Sequence, residues 1–216
     1  MSLRKISVLF LFVAMVLVCA AANQEVAAQS TDQAAQIEKR VDETNLDTQL
    51  YLLIASNQDV GDSKLPATLD PVVKQLRASL PFKNYRLAST LINRVKNEGR
   101  LNLNWIGGPL ASATASASTP SFNQFKINQI KLVRDIDGQQ LVRMDGFGFG
   151  ARIPIQTATG PVASNAPPFP VVNYENTGLN TDFSMREGEP VVVGTLNVGP
   201  SGDAIILVMS VKRSGR

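Results

Sequence analysis

Three short constellations in this sequence have residue types and spacing that could do chemistry. Asp135 and Asp137 flank Ile136 ahead of Gly138, the opening of a calcium-loop pattern. Such a loop needs a third oxygen ligand and a glutamate after the glycine. Here Gln139, Gln140 and Leu141 follow, so the segment reads as a hairpin turn. Glu187 and Glu189 bracket Gly188, where two carboxylates could share general acid and base roles. On a surface turn they would stay solvated with ordinary pKa values, which favours a turn over catalysis. Gly146-Phe147-Gly148-Phe149-Gly150 has the glycine density of a phosphate loop. A phosphate loop needs a helix start behind it, and Ala151-Arg152-Ile153-Pro154 begins none. The stretch therefore reads as a strand whose glycines let a backbone or an aromatic ring pack close. Phe147, Phe149, Trp105 and Tyr174 either line a ligand face or fill a core. With aromatics only 6% of the chain, core use is preferred.

What is missing narrows the chemistry further. There is no histidine, and the one cysteine is Cys19. With Cys19 in a segment that is removed, zinc sites built on His or Cys, cysteine nucleophiles, Ser-His-Asp triads and disulfides are all excluded. Catalysis would fall to carboxylates, Lys, Tyr or Ser–Lys pairs. No catalytic, cofactor-binding or metal-ligating residue is assigned, and no cofactor is expected.

The first 28 residues read as a secretory signal. Arg4 and Lys5 form a basic start, and Ile6–Val18 is apolar apart from Ser7. The run is shorter than the ~20 residues that cross a bilayer as a helix. Ala20-x-Ala22 places a cleavage site after Ala22, and Val26-Ala27-Ala28 places another after Ala28. Both stay open. Cys19 would be a lipid acceptor only behind a small residue; Val18 precedes it, so it reads as part of the discarded signal. Residues 29–47 are polar and rich in Gln, Ala and Asp, a linker with a loose helical stretch at Ala34–Glu43. Without the signal's two cations, the 21 basic and 18 acidic residues nearly balance. No nucleic-acid partner is expected, and the membrane is met only through the signal segment before cleavage.

The remaining chain, 48–212, reads as a single β-rich domain. Thr48–Ser56 is a continuous apolar run, hence a buried strand. Asp70 followed by Pro71 predicts a helix with Asp70 as N-cap, Val72, Val73, Leu76 and Leu80 on one face, and Pro81 at its end. Tyr85–Val95 and Leu101–Trp105 alternate around Asn97-Glu98-Gly99, which predicts a hairpin. Phe122–Val133 and Leu141–Ile155 form a second strand pair. Thr181–Arg186, Val191–Val198 and Ala204–Val211 are strands separated by turns, the last one central in its sheet. Gly107–Ser121 and Thr157–Pro170, rich in small residues and Pro, are exposed loops. The expected class is α+β, mainly antiparallel β: a β-sandwich-like domain with one packed helix.

Arg186-Glu187-Gly188-Glu189-Pro190-Val191-Val192-Val193-Gly194-Thr195, followed by Gly202–Val211, resembles a strand–turn–strand phrase in the outer-membrane pore domain of bacterial secretins. The phrase also occurs in small exported bacterial proteins of unassigned function. In these, Leu76-x-x-x-Leu80-Pro81-Phe82-x-x-Tyr85-x-Leu87 has a helix–strand counterpart. The resemblance covers residues 69–96 and 181–212. This chain lacks the membrane-spanning hairpins and gate of a secretin, so the resemblance implies a β-rich envelope module. Gly188 would make its turn and Gly194 would permit a bulge. The leading expectation is a non-enzymatic interaction or assembly module of a bacterial envelope, with other envelope proteins as partners and a periplasmic, extracellular or outer-membrane-associated location. Two alternatives stand beside it. One is a carboxylate-dependent hydrolase using Asp145 or Glu187. The other is a small-ligand or glycan binder, which requires Trp105 or Tyr174 to be accessible.

Overall fold

The computed structural model describes residues 44–58, 64–108, 110, 119–159, 170–198 and 202–215. The chain divides into Met1–Glu43 and Thr44–Arg216, and the description concerns the second unit. Ala22, Ala28, Cys19 and the stretch Ala34–Glu43 lie outside the described residues.

The two most apolar segments pair with each other. Strand β1 (Asn45–Ser56) and strand β9 (Asp203–Arg213) run antiparallel at the centre of a four-stranded sheet ordered β2-β1-β9-β8, with β2 Asn84–Lys96 and β8 Val191–Val198. Both central strands are covered on both faces, which explains their continuous rather than alternating apolar pattern. Leu46, Leu50 and Leu52 of β1 and Ile205, Leu207, Met209 and Val211 of β9 face the second sheet. Tyr51, Leu53, Ala55, Ala204, Ile206 and Val208 face the helix. The strand starts at Asn45, three residues before the expected linker boundary, because Leu46 is fully buried opposite Val95 and Arg213.

Helix α1 (Asp70–Ser79) covers the outer face of this sheet through Val72 and Leu76, with Val73 and Leu80 half-buried beside them. Its start differs from the sequence expectation. A 3-10 turn, Ala67–Leu69, leads into it, Leu69 is the N-cap, and no side chain caps the helix. Asp70 instead occupies the first turn, where its charge complements the helix dipole.

The second sheet contains β3 (Leu101–Gly107), β4 (Ser121–Ile127), β5 (Gln129–Arg134), β6 (Gln140–Thr159) and β7 (Pro170–Arg186). Strands β4 and β5 run end to end along one edge of β6, and β7 takes the other edge. The expected single strand over Phe122–Val133 is thus broken at Asn128, whose N–H donates to the carbonyls of Asp145 (3.1 Å) and Gly146 (3.3 Å). A bulge on β6 lies opposite. Gly146 has φ +64°, and a Cβ there would strike the Asn128 side chain, so only glycine fits.

The expected hairpin of β2 with β3 is not formed. Strand β2 pairs with β1, whereas β3 pairs with β4 in the other sheet. The segment Asn97–Arg100 is a corner between sheets. Glu98, at φ 63°, donates its N–H to the Ile130 carbonyl, Ile130 donates to Gly99, and the Asn97 side chain accepts from Leu132 N–H at 2.8 Å. The Glu187–Pro190 turn is a second corner, carrying the chain from β7 to β8, with Gly188 at φ +82°. Gly194 ends a register shift in β8 against β9, as the bulge expectation required.

Two loop boundaries also move. Leu110, inside the expected exposed loop Gly107–Ser121, is buried in the inter-sheet core. Strand β6 runs on to Thr159, and β7 begins at Pro170. Neither sheet closes on itself: among the described residues β2 and β8 bound one sheet, and β3, β5 and β7 bound the other. No helix among the described residues is long and apolar enough to cross a membrane.

Candidate functional site

The alternation of glycine and phenylalanine in β6 shapes the outer face of the second sheet. Phe147 and Phe149 point into the sandwich, where Phe147 meets Phe125 (5.4 Å) and Phe183 (5.6 Å), and Phe149 meets Trp105 (6.4 Å). The two-residue period of a strand then turns Gly146, Gly148 and Gly150 outward. Asn128 lies over Gly146, and Lys126 and Asn180 lie over Gly148. Nothing stands within 4 Å of the place where a Cβ on Gly150 would be. Its cross-strand partner on β7 is another glycine, Gly178. Bare backbone therefore floors an open groove of about 470 Å³.

The strand register sets the walls of the groove. Ile106, Phe122, Arg152 and Asn176 stand in one row across β3, β4, β6 and β7. Asn104 and Gln124 stand in the next row, in line with Gly150. Ile106 is 69% exposed and Phe122 42% exposed, although both are large and apolar. Phe122 leans on Tyr174 (5.8 Å, tilted), and the Arg152 guanidinium lies 5.6 Å from the centre of the Tyr174 ring. The Tyr174 hydroxyl donates to the Pro120 carbonyl at 3.1 Å, which fixes the ring. Of the aromatics singled out in the sequence, Phe147 and Phe149 are core residues. Trp105 is half-buried against the inter-sheet core beside Phe149, and Tyr174 is half-buried at the outer face beside Phe122 and Arg152. Phe122 and the trough over Gly150 were not singled out, although the glycines of residues 146–150 were read as places where another group packs close.

The candidate carboxylates are engaged by arginines. Glu187 accepts from Arg213 Nε and Nη2 at 2.9–3.0 Å and from the Arg213 backbone N–H at 2.9 Å. Arg213 also donates to the Gln140 side chain. These bonds hold the Glu187 carboxyl below the usual glutamate range, which corrects the expectation of an ordinary solvated group. Glu189 lies 3.8 Å from Arg186, with both side chains mostly exposed. Asp145 is held by Arg143 at 2.8 Å. Asp135 forms the turn expected of it, accepting from the N–H groups of Asp137 (3.0 Å) and Gln139 (2.8 Å), with Gly138 at φ +77°. Among the described residues no group of three His, Cys, Asp or Glu side chains is arranged to hold a metal.

Further hollows include two sizeable ones. One, of about 550 Å³, runs beside α1 and is lined by Lys64, Asp70, Lys74, Arg77 and the buried Tyr85. The other, of about 340 Å³, opens where β2 and β3 meet and includes Arg86, Trp105 and Leu110.

No family model and no curated protein matches the chain. Solved structures similar to it include secretins. One is InvG of the Salmonella SPI-1 type III secretion injectisome, at 10% identity and TM-score 0.36, covering 88% of this chain and 70% of that one. Another is the Klebsiella pneumoniae type II secretion system outer membrane complex of PulD, PulS and the PulC HR domain. There identity is 10% and TM-score 0.40, covering 88% of this chain and 43% of that one, so this chain spans less than half of it. A third is the V. cholerae type IV competence pilus secretin PilQ, at 13% identity and TM-score 0.31, covering 80% and 59%. At these scores the likenesses define neither the fold nor the activity of this chain.

Proposed function

We propose that this chain is an exported bacterial envelope protein that acts as a non-enzymatic interaction or assembly module, joining other envelope proteins through an open strand edge. The carrying observation is β8. Among the described residues Val191–Val198 bounds its sheet and pairs only with β9, and it contains no Lys, Arg, Asp, Glu or Pro. An edge strand of this kind presents free backbone donors and acceptors to another chain, and folds that avoid such pairing usually place charges there. Its only interruption is the bulge at Val193. Strand addition at such an edge gives affinity through main-chain hydrogen bonds and specificity through alternate side chains. The basic and apolar start of the chain and its secretin-like phrase support the envelope setting.

The test is crosslinking in living cells with the full-length chain, followed by mass spectrometry of bait and partners. Secretion, pilus or other envelope-assembly proteins should be recovered in near-equal amount to the bait. Thr195, exposed on β8, offers a site for a blocking charge. Thr195→Lys should abolish that recovery while the protein stays folded. Partner recovery unchanged in Thr195→Lys would remove the edge from the reading. Turnover of a generic ester, glycoside or peptide substrate by the purified protein would overturn the non-enzymatic part. The mature N-terminus of the bait would select between Ala22 and Ala28.

A further inference from the structure

The groove over Gly150 has a combination of features that the strand-edge reading does not use. We infer that it is a saccharide site, and that its ligand carries a carboxylate. Three observations carry this.

First, the floor is a deliberate gap. Of the three outward glycines on β6, two are covered by neighbouring side chains and only Gly150 is left open, beside Gly178. Glycine in the interior of a strand weakens it and is retained where something approaches the backbone closely. The backbone here is already used in the β4–β6 and β6–β7 ladders. A bound molecule is therefore held by side chains, which disfavours an extended peptide seeking main-chain partners.

Second, the walls pair an apolar plate with planar amides. Phe122 and Ile106 give an exposed apolar surface suited to the C–H face of a sugar ring. Asn104, Gln124 and Asn176 each offer both donors and acceptors, the mixture that neighbouring hydroxyls require. Such a site, with apolar lining and a few placed polar groups, has the composition of a small-ligand pocket.

Third, Arg152 is a cation without an acid. It rests on the Tyr174 ring and makes no ion pair among the described residues. Held at the groove wall by an aromatic face, it is oriented to receive a carboxylate in a charge-assisted hydrogen bond. A single cation suits one acid group on a sugar and is too few for a nucleic-acid backbone.

The experiment is a calorimetric titration of the full-length chain, purified in mild detergent, with trigalacturonate as the acidic probe and maltotriose as the neutral one. Trigalacturonate should bind, with maltotriose weaker by about tenfold, the loss of one charge-assisted contact. Arg152→Gln should bring the acidic probe to the level of the neutral one. Gly150→Leu should abolish both, because the new side chain enters the groove from a position where nothing stands within 4 Å of its Cβ. Circular dichroism would confirm that each variant is folded. If Gly150→Leu misfolds, Arg152→Gln decides alone. Three results would overturn the inference: no binding of either sugar at millimolar concentration, unchanged binding in folded Gly150→Leu, or acidic preference unchanged in Arg152→Gln. Association of the protein with itself through this face, insensitive to either sugar, would also overturn it in favour of a second copy. None of these results bears on the β8 edge, which Thr195→Lys tests separately.

Discussion

Glu187 shows how a residue placed for chemistry becomes a structural tie. Its carboxylate closes the corner between β7 and β8 by gripping Arg213 near the end of β9, through both side-chain and backbone donors. The grip depresses its pKa, so its contribution to stability is present above the ordinary glutamate value of 4.5 and disappears as pH falls through the lower folded-state value. Arg213 is 46% exposed, so solvent screening limits the pair to about 1 kcal/mol or less. Urea unfolding of Glu187→Gln should show a deficit of that size at pH 7 that shrinks as pH falls below 4.5 and through the lower folded-state value. A deficit that does not shrink on acidification would mean the variant lost packing rather than charge. Arg152 is the contrasting case: a charged group with an aromatic support and no ion pair among the described residues, the feature from which a ligand is inferred. The two arginines could not be told apart in the sequence, because neither Glu187 nor Tyr174 is a near neighbour of its arginine along the chain.

Elements were read more reliably than their partners. The burial of β1 and β9, the Gly188 turn and the Gly194 bulge all followed from local pattern, since apolar periodicity and glycine conformation are properties of a few adjacent residues. Pairing is not local. The Asn97–Gly99 turn looked like a hairpin, but its geometry is that of a corner, with Glu98 and Asn97 bonded to Ile130 and Leu132 thirty residues away. The bulge at Gly146 is a similar non-local device, since Asn128 on the opposing strand occupies the space a Cβ would need. Gly146→Ala should destabilise the domain by about 1–3 kcal/mol through both the positive φ and the collision. Gly150→Ala on the same strand should be neutral or slightly stabilising, as strand entropy predicts. Chemical denaturation of the two variants side by side would check this, and equal losses would refute the distinction between a covered glycine and an open one.

At the scale of the molecule, β9 joins two cores. Its odd residues close the space between the sheets, and its even residues hold the helix layer. Leu207→Ala, at the middle of the inter-sheet face, should cost about 2–5 kcal/mol and weaken both layers together, seen as one cooperative unfolding transition. Two separate transitions would mean that the helix layer melts independently. Among the described residues the sandwich leaves five strands as sheet boundaries; β8, like β3, carries no charge, which is the basis for proposing a partner at the β8 edge. The sequence by itself determined the class of this domain, its buried central strands and its single packed helix, because burial leaves a periodic trace in residue type. It also removed histidine chemistry outright, since the chain has no histidine. Only the tertiary structure decided which strands share a sheet, which glycines are covered, and which arginines pair with acids among the described residues. Those depend on residues brought together from distant parts of the chain, and local pattern carries no record of their distance.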